Sequence, residues 1–257
     1  MMNNLKGLHV LNTRPLGQAK VLSNAIKAAG GIALECPALV IEPKDKTWIA
    51  DLPTLNRVEK AIFISANAVN YCFKIIRDEQ LYWPSTIEVI AVGDATAAAL
   101  TSHGIKADLI PAIADSENLL KLEELQEVNE KIILLVKGED GRTLIAETLI
   151  TRGANLHSCE VYSRQMPKPD PQQLYSLWQN EVVDIILFTS QQAMRNLFIM
   201  FGEKAHAWLC RTPCLVISKR LAEEAALLGI KTIIVSDPKT ILTTLHQFNQ
   251  GLIHGPK

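Results

Sequence analysis

Seven short apolar runs recur along the chain and are separated by longer segments with helical composition. The runs span residues 8–12, 61–65, 88–92, 131–136, 184–188, 214–218 and 231–235. Each run is apolar at consecutive positions, which is typical of parallel strands that are covered by helices on both faces. Start signals such as Pro15 and Asp94 precede the helical segments, and a glycine often follows them. The pattern predicts an α/β protein with right-handed crossovers between parallel strands.

The alternation also repeats at long range. Three pairs of segments match: 62–69 with 187–194 and 91–105 with 216–230 at an offset of 125, and 9–14 with 132–137 at an offset of 123. The matches place Ser65 on Ser190 and Arg14 on Lys137. A repeat of this length indicates two copies of one module. We therefore predict two similar flavodoxin-like lobes with parallel sheets.

Two extended, proline-ended segments lie outside this repeat, at 36–43 and 159–171. Their composition is typical of connections between two bodies, because proline ends a strand and stiffens a linker. We predict a two-stranded linker made of residues 37–43 and 159–169. The first lobe would then be discontinuous, built from 1–36 plus 170–257, and 44–158 would form the inserted second lobe.

The charge and composition of the chain disfavour several classes of partner. The chain has 26 basic and 27 acidic residues, a net charge of -1, which disfavours nucleic acid or an anionic membrane surface as a partner. No apolar run approaches the ~20 residues of a membrane helix, and the first residues lack a signal-peptide pattern. We therefore expect a cytoplasmic protein.

Metal and cofactor signatures are missing from the sequence. Its five cysteines form no CxxC pair and its six histidines show no ligand spacing, so we expect buried thiols and neither a disulfide framework nor a metal site. The segment 137–143 has too few residues between its glycines for a phosphate loop, and no GxGxxG follows the first strand. The sequence predicts neither a bound metal nor an organic cofactor.

Polar loops follow the predicted strands, where an open α/β sheet binds its ligands. The candidates to contact a ligand are Arg14, Ser65, Ala66, Asn67, Gly93, Thr96, Lys137, Gly138, Ser190, Gln191 and Ser218. Main-chain N–H groups at helix starts suit carboxylates and phosphates, and small residues let a ligand approach them. The alternative is that the serines and threonines only cap their helices, and that Arg14 and Lys137 are solvated.

Five segments together resemble the uroporphyrinogen-III synthase family of tetrapyrrole (heme) biosynthesis, in the family's order and over nearly the whole chain. They are NTRP at 12–15, IFISANAV at 62–69, AVGDATAAAL at 91–100, EVYSR at 160–164 and LFTSQQAM at 187–194. The resemblance implies two α/β lobes joined by a two-stranded ribbon. It also implies a cyclising lyase that converts hydroxymethylbilane to uroporphyrinogen III, with inversion of the last ring, loss of water and no metal or organic cofactor.

The resemblance also carries residue roles. Tyr162 matches the family's tyrosine on the connecting strand and is the candidate to hydrogen-bond or protonate the leaving hydroxyl. Without the family, a lone tyrosine on such a strand is more often a packing residue. Thr96 matches a family position at the edge of the second lobe. Where many members have a GPxT-like turn in the other lobe, this chain has Ser218 to Leu221 and lacks the threonine. That departure puts a threonine role there in doubt and leaves Ser218 or the adjacent basic pair as the contact.

Two rival functions stay open at this point. One is a non-catalytic two-lobed module that binds or senses a polycarboxylate such as a linear tetrapyrrole, and the other is a degenerate synthase that binds without turnover. We expect a monomer. Because hydroxymethylbilane is unstable, a transient contact with hydroxymethylbilane synthase is also expected, although no interface feature in the sequence supports it.

Overall fold

The computed structural model describes residues 4–50, 52–139, 143–180 and 182–251. The chain forms two compact units, Met1–Val40 with Gln165–Lys257 and Ile41–Arg164. It therefore passes between the units twice. Both passages lie at strands of the second unit's sheet, and residues 159–164, predicted as part of a linker, are built into that sheet.

The first unit is a five-stranded sheet with helices on both faces. Its strands are β1 (His9–Asn12), β2 (Ile32–Glu35), β8 (Ile185–Phe188), β9 (Cys214–Val216) and β10 (Ile233–Val235), and its helices are α1 (Leu16–Ala28), α6 (Pro171–Gln179), α7 (Gln191–Arg211), α8 (Lys219–Leu227) and α9 (Ile241–Asn249). The strand order is β10-β9-β8-β1-β2, and every pair is parallel. Numbered within the unit this is the 2-1-3-4-5 order of flavodoxin-like folds.

Alternate residues of each strand in this unit enter different cores. Leu11, Ile186 and Phe188 pack with helices α6, α7 and α8, whereas Val10 and Ile185 pack with α1 and α9. Strands that are buried on both faces must be apolar at consecutive positions, which explains the uninterrupted runs in the sequence.

The second unit repeats this plan. Its strands are β3 (Val40–Pro43), β4 (Lys60–Phe63), β5 (Glu88–Ala91), β6 (Ile132–Gly138) and β7 (Asn155–Gln165), and its helices are α2 (Ala66–Asp78), α3 (Asp94–Ser102), α4 (Ser116–Leu119) and α5 (Leu144–Thr151), with 3₁₀ turns at Lys46–Ile49, Leu55–Arg57 and Glu123–Leu125. The order is β3-β7-β6-β4-β5, and the pairs among β4 to β7 are parallel. One face packs against α2 and α3 and the other against α4 and α5.

Four strands of each sheet correspond. β9-β8-β1-β2 of the first unit matches β5-β4-β6-β7 of the second, and an isolated parallel bridge between Ile90 and Leu109 lies where β10 extends the first sheet. The predicted fold class, two similar α/β units with parallel sheets, is confirmed. All seven apolar runs contain strands, whereas β2 was not predicted.

Candidate functional site

Tyr162 is the centre of a hydrogen-bonded group at the carboxyl end of β7. Its phenolic oxygen lies 3.1 Å from Ser65 Oγ and accepts a hydrogen bond of 3.0 Å from Nη2 of Arg164. The Arg164 guanidinium carbon also lies 5.4 Å from the ring centroid, within cation–π range. The tyrosine side chain is 1% exposed. The structure therefore brings the predicted Tyr162 and Ser65 together and adds Arg164 to them.

Gly138 makes the position of this ring possible. A Cβ atom added to Gly138 would lie 2.5 Å from Cζ and 2.8 Å from the hydroxyl oxygen of Tyr162. The Tyr71 ring also lies 5.9 Å from the Tyr162 ring, and the Tyr71 hydroxyl donates to the carbonyl of Ile41 at 2.8 Å. Gly138 is thus a close-packing residue beneath the tyrosine, a role that is compatible with its predicted place at the site.

Lys137, predicted as a cation for substrate, has a partner within the unit. Its ammonium lies 3.2 Å from Glu160, its neighbour across the β6–β7 pair, and Lys44 bonds the same glutamate at 3.1 Å and Glu139 at 2.8 Å. Burial acts to raise the pKa of Glu160, but the hydrogen bonds and charges of the two lysines outweigh it, and the pKa is lowered. The side chain of Lys137 is only 12% exposed, so it contributes an internal ion pair.

The repeat places equivalent serines at two helix starts. Ser65 Oγ accepts from the amide of Ala68 at 3.1 Å and caps α2, and Ser190 Oγ accepts from the amide of Ala193 at 3.1 Å and caps α7. Both serines are therefore N-caps, and Ser65 in addition contacts the tyrosine. Ala66 is the first residue of α2, and Asn67, partly buried, follows it.

Gln191, the first residue of α7, is held inside the first unit. Its side-chain amide donates to Glu224 at 2.7 Å, and Arg195 pairs with the same carboxylate. The hydrogen bond from Arg195 lowers the pKa of Glu224, and Gln191 adds to the effect against the opposing influence of burial. The amide nitrogen of Gln191 is thereby occupied.

The remaining strand-end positions differ between the two units. Gly93 precedes α3, and a Cβ there would lie 2.6 Å from Ala114 Cβ, so this turn has no room for a capping side chain. Thr96, in the first turn of α3, is 3% exposed. At the equivalent place in the first unit, Ser218 Oγ accepts from the amide of Leu221 at 3.3 Å and caps α8. Where many members of the family have a GPxT-like turn with a threonine, this chain therefore has a helix start that Ser218 caps.

Arg14 lies in a loop that its neighbours hold in place. Asn12, fully buried, donates to Ser23 at 3.1 Å and accepts from the Arg14 amide at 3.3 Å, and the Thr13 hydroxyl donates to the carbonyl of Leu187 at 2.7 Å. The Nε atom of Arg14 is buried and has no hydrogen-bond partner among the described residues. Burial lowers the pKa of Arg14, because desolvation disfavours its charge.

Within each unit, the strand order places the predicted residues on neighbouring strands of one sheet. In the second unit, Gly93 and Ser65 follow β5 and β4, and Gly138 ends β6 opposite Tyr162, which lies near the end of the neighbouring strand β7. In the first unit, three neighbouring strand ends precede the predicted residues, which are Ser218, Ser190 and Arg14. Lys137 and Gly138 end β6, and residues 140–142, which follow, lie outside the described residues.

Sequence reasoning missed Arg164 as a contact of Tyr162 and Glu160 as the partner of Lys137. For Arg164 the signal was present, because it lies two residues after Tyr162 on one strand and side chains two apart share a face. Asn12 and Thr13 were also missed as supports of Arg14, although a polar pair at the end of a buried strand needs internal hydrogen bonds.

Elsewhere, the described residues form surface grooves but no cluster of metal-binding side chains. They contain no group of three or more His, Cys, Asp or Glu that could hold a metal ion. Two surface grooves of about 300 and 320 Å³, near Leu55 and near Tyr175, include none of the predicted site residues. Within the same residues, no helix is long and apolar enough to cross a membrane.

The fold and the site together define a two-unit α/β protein with corresponding parallel sheets, whose strand-end loops carry capped helix starts and a buried tyrosine. The family model described as "Uroporphyrinogen-III synthase HemD" matches residues 20–242. The chain is 31% identical over 235 residues to the uroporphyrinogen-III synthase of Escherichia coli (strain K12), with 90% of this chain and 95% of that protein covered. The Salmonella typhimurium enzyme of the same name is 31% identical over 237 residues, again with 90% and 95% covered.

Solved structures show the same fold. A uroporphyrinogen III synthase structure from the extremely thermophilic bacterium Thermus thermophilus superposes with a TM-score of 0.67 at 18% identity, covering 95% of this chain and 98% of that one. A uroporphyrinogen-III synthetase from Helicobacter pylori 26695 gives 0.62 at 15% identity, covering 96% and 100%. The chain belongs to the uroporphyrinogen-III synthase family, and this membership favours a synthase over a non-catalytic binding module.

Proposed function

We propose that the chain cyclises hydroxymethylbilane to uroporphyrinogen III, with inversion of ring D and loss of water, and is thus a lyase. Family membership supports the reaction. The observation that carries the proposal in this molecule is the phenol of Tyr162 at a strand end, with Ser65 and Arg164 at its oxygen. Strand ends of open parallel sheets are where such folds bind ligands.

The phenol supplies the proton for the leaving group. As the terminal C–O bond of hydroxymethylbilane breaks, the Tyr162 O–H donates its proton to the departing hydroxyl, which leaves as water and gives an azafulvene cation. The substituted carbon of ring D then attacks this cation and forms a spiro intermediate that fragments and recloses. Reclosure releases a proton from the ring carbon, and that proton restores the phenol. The neutral Tyr162 is therefore regenerated and no cofactor enters the balance.

Substrate recognition depends on carboxylates, since the linear tetrapyrrole carries many of them. The Arg14 guanidinium has a buried nitrogen to which none of the described residues bonds, and a carboxylate would supply that partner in a charge-assisted bond. The starts of α2, α3, α7 and α8 add main-chain donors of partial positive charge. Lys137 belongs to the supporting structure in this proposal, because Glu160 already pairs with it.

The proposal also includes a monomeric, cytoplasmic enzyme that receives its unstable substrate from hydroxymethylbilane synthase in a transient contact. The five cysteines are free, which fits a reducing compartment. Sedimentation at several concentrations tests the monomer. The transfer is tested by measuring conversion with the two enzymes mixed and with substrate added from solution. Faster conversion in the mixture would support it.

The decisive assay supplies hydroxymethylbilane, oxidises the products and separates the porphyrin isomers. We expect the III isomer from the wild type, and a fall in turnover of about 100-fold for Tyr162→Phe with the fold retained, because a general acid contributes at least about that factor. Tyr82→Phe, which removes the hydroxyl of a tyrosine that is 72% exposed, is the matched control and should match the wild type. Formation of the I isomer alone by the wild type would sink the synthase proposal, and full activity of Tyr162→Phe would remove the phenol from the mechanism.

A further inference from the structure

Arg164 is an exposed residue that contacts the buried phenol of the site. It follows Tyr162 by two positions on β7, so both side chains leave the same face of the strand. Its Nη2 atom donates to the phenolic oxygen at 3.0 Å, and its guanidinium carbon lies 5.4 Å from the ring centroid. The guanidinium thus contacts both the hydroxyl and the ring of the tyrosine.

The chemistry of the guanidinium determines which way the phenol can donate. Arginine has only donors, so the Tyr162 hydroxyl cannot give its hydrogen to Arg164 and must accept there. The phenolic hydrogen is therefore directed away from Arg164, toward Ser65 Oγ at 3.1 Å or toward a ligand atom that lies on that side. Ser65 Oγ in turn accepts from the Ala68 amide at 3.1 Å, which fixes the serine against the start of α2.

We propose that Arg164 is a positioning residue for the reaction, holding the Tyr162 hydroxyl as a donor aimed away from the guanidinium. This inference rests on the proposed role of Tyr162 as the proton donor. Gly138 leaves room for the ring and Ser65 contacts its hydroxyl, while Arg164 sets the orientation of the hydroxyl hydrogen. Arg164 acts through the tyrosine and need not touch the substrate itself.

The competing interpretation is structural: an exposed arginine covers an aromatic ring and stabilises the unit by a cation–π contact. The two interpretations differ in what the variants do. A covering role predicts a change in melting temperature with unchanged turnover. The positioning role predicts that a neutral side chain which can both donate and accept is harmful, whereas another donor-only cation is tolerated.

The kinetic test compares Arg164→Gln and Arg164→Lys with the wild type by the isomer-resolved assay. We expect Arg164→Gln to lower kcat about 10-fold, the factor that follows from losing a hydrogen bond of ~1.4 kcal/mol, with KM changed by less than about twofold. Arg164→Lys should restore most of kcat. Arg57→Gln, the same change at an exposed arginine of the same unit, is the control and should match the wild type. In a Tyr162→Phe background, Arg164→Gln should add no further loss, because its effect passes through the phenol.

A spectroscopic arm without substrate tests the contact itself. In protein labelled at the tyrosine ζ-carbons, Tyr162→Phe assigns the Tyr162 signal; Arg164→Gln should shift this signal, while Arg164→Lys and Arg57→Gln leave it near its wild-type position. A kcat loss that persists in the Tyr162→Phe background, a KM effect without a kcat effect, or an unmoved Tyr162 signal would each overturn the positioning role. A wild type that yields only the I isomer is a separate outcome, which refutes the proposed function and the positioning role with it.

Discussion

Replacing Gly138 by alanine perturbs the tyrosine site without touching any hydrogen-bonding group. The new methyl carbon would lie 2.5 Å from Tyr162 Cζ and 2.6 Å from Cε2, whereas unbonded carbons are at their optimum near ~3.5–4.0 Å. The ring must therefore retreat by about 1 Å or the end of β6 must shift. A displacement of that size takes the 3.1 Å contact with Ser65 out of hydrogen-bond geometry.

The cost follows from overpacking and from the broken contact. Overpacking a filled core costs about 1–3 kcal/mol, and a buried hydroxyl that loses its partner adds about 1–3 kcal/mol. We expect Gly138→Ala to lower the free energy of unfolding by about 2–6 kcal/mol. Turnover should fall about 100-fold, because a misplacement of about 1 Å costs that factor in a positioned reaction.

Urea unfolding and the isomer-resolved assay measure the two effects. Gly17→Ala is the matched control: no atom lies within 4 Å of its added Cβ, and it lies near the start of α1, so stability should hold or rise slightly. In a Tyr162→Ala background the instability of Gly138→Ala should largely vanish, since the clashing ring is gone. Wild-type stability and turnover in Gly138→Ala would refute the account of how the ring is held.

Three further predictions concern the supports of the site. Thr13→Val should lower the free energy of unfolding by about 1–3 kcal/mol, because the buried carbonyl of Leu187 loses a side-chain donor at 2.7 Å; Thr13→Ser should recover most of it, and equal urea midpoints for the wild type and the valine variant would contradict this. Arg14→Gln should raise KM by about tenfold or more with a smaller effect on kcat, as expected for a charge-assisted carboxylate contact, and an unchanged KM would remove Arg14 from substrate binding. Burial acts to raise the pKa of Glu160, but Lys44 and Lys137 lower it overall. The ionised carboxylate therefore stabilises the fold above its unfolded pKa, and this stabilisation is lost as the pH falls through the lower folded pKa. Urea midpoints from about pH 6 to about pH 3 should therefore fall less steeply for Glu160→Gln, and parallel curves would contradict the linkage.

The fold followed from the sequence because burial on both faces leaves a direct trace. Runs such as 184–188 are apolar throughout only where helices cover both sides of a strand. The repeat at an offset of 125 residues paired Ser65 with Ser190, and each serine Oγ caps its helix at 3.1 Å from the amide that it accepts from. β2 escaped notice because its residues are only partly buried or exposed, so Ile32 to Glu35 lack the continuous apolar signal.

The site was predictable in its members but less so in their roles. Tyr162 and Ser65 were predicted separately, and only the parallel pairing of β6 with β7 and β4 shows that they meet. Lys137 looked like a free cation because sequence spacing does not reveal a partner across a strand pair, and Glu160 is that partner. Position 138 likewise has room only for glycine because of the Tyr162 ring, which is 24 residues away along the chain.

The discontinuity of the first unit has a consequence for synthesis on the ribosome. The second unit is contiguous, from Ile41 to Arg164, and all its strands emerge before β8 exists. β1 must wait for β8, to which Val10 pairs through Ile185, while translation at about 5–20 residues per second imposes a delay on the order of ten seconds. During that interval the apolar β1 is unpaired on the side that β8 later occupies. Newly made chains should therefore bind chaperones through their first forty residues, and they should release them only after the carboxyl-terminal strands have been translated.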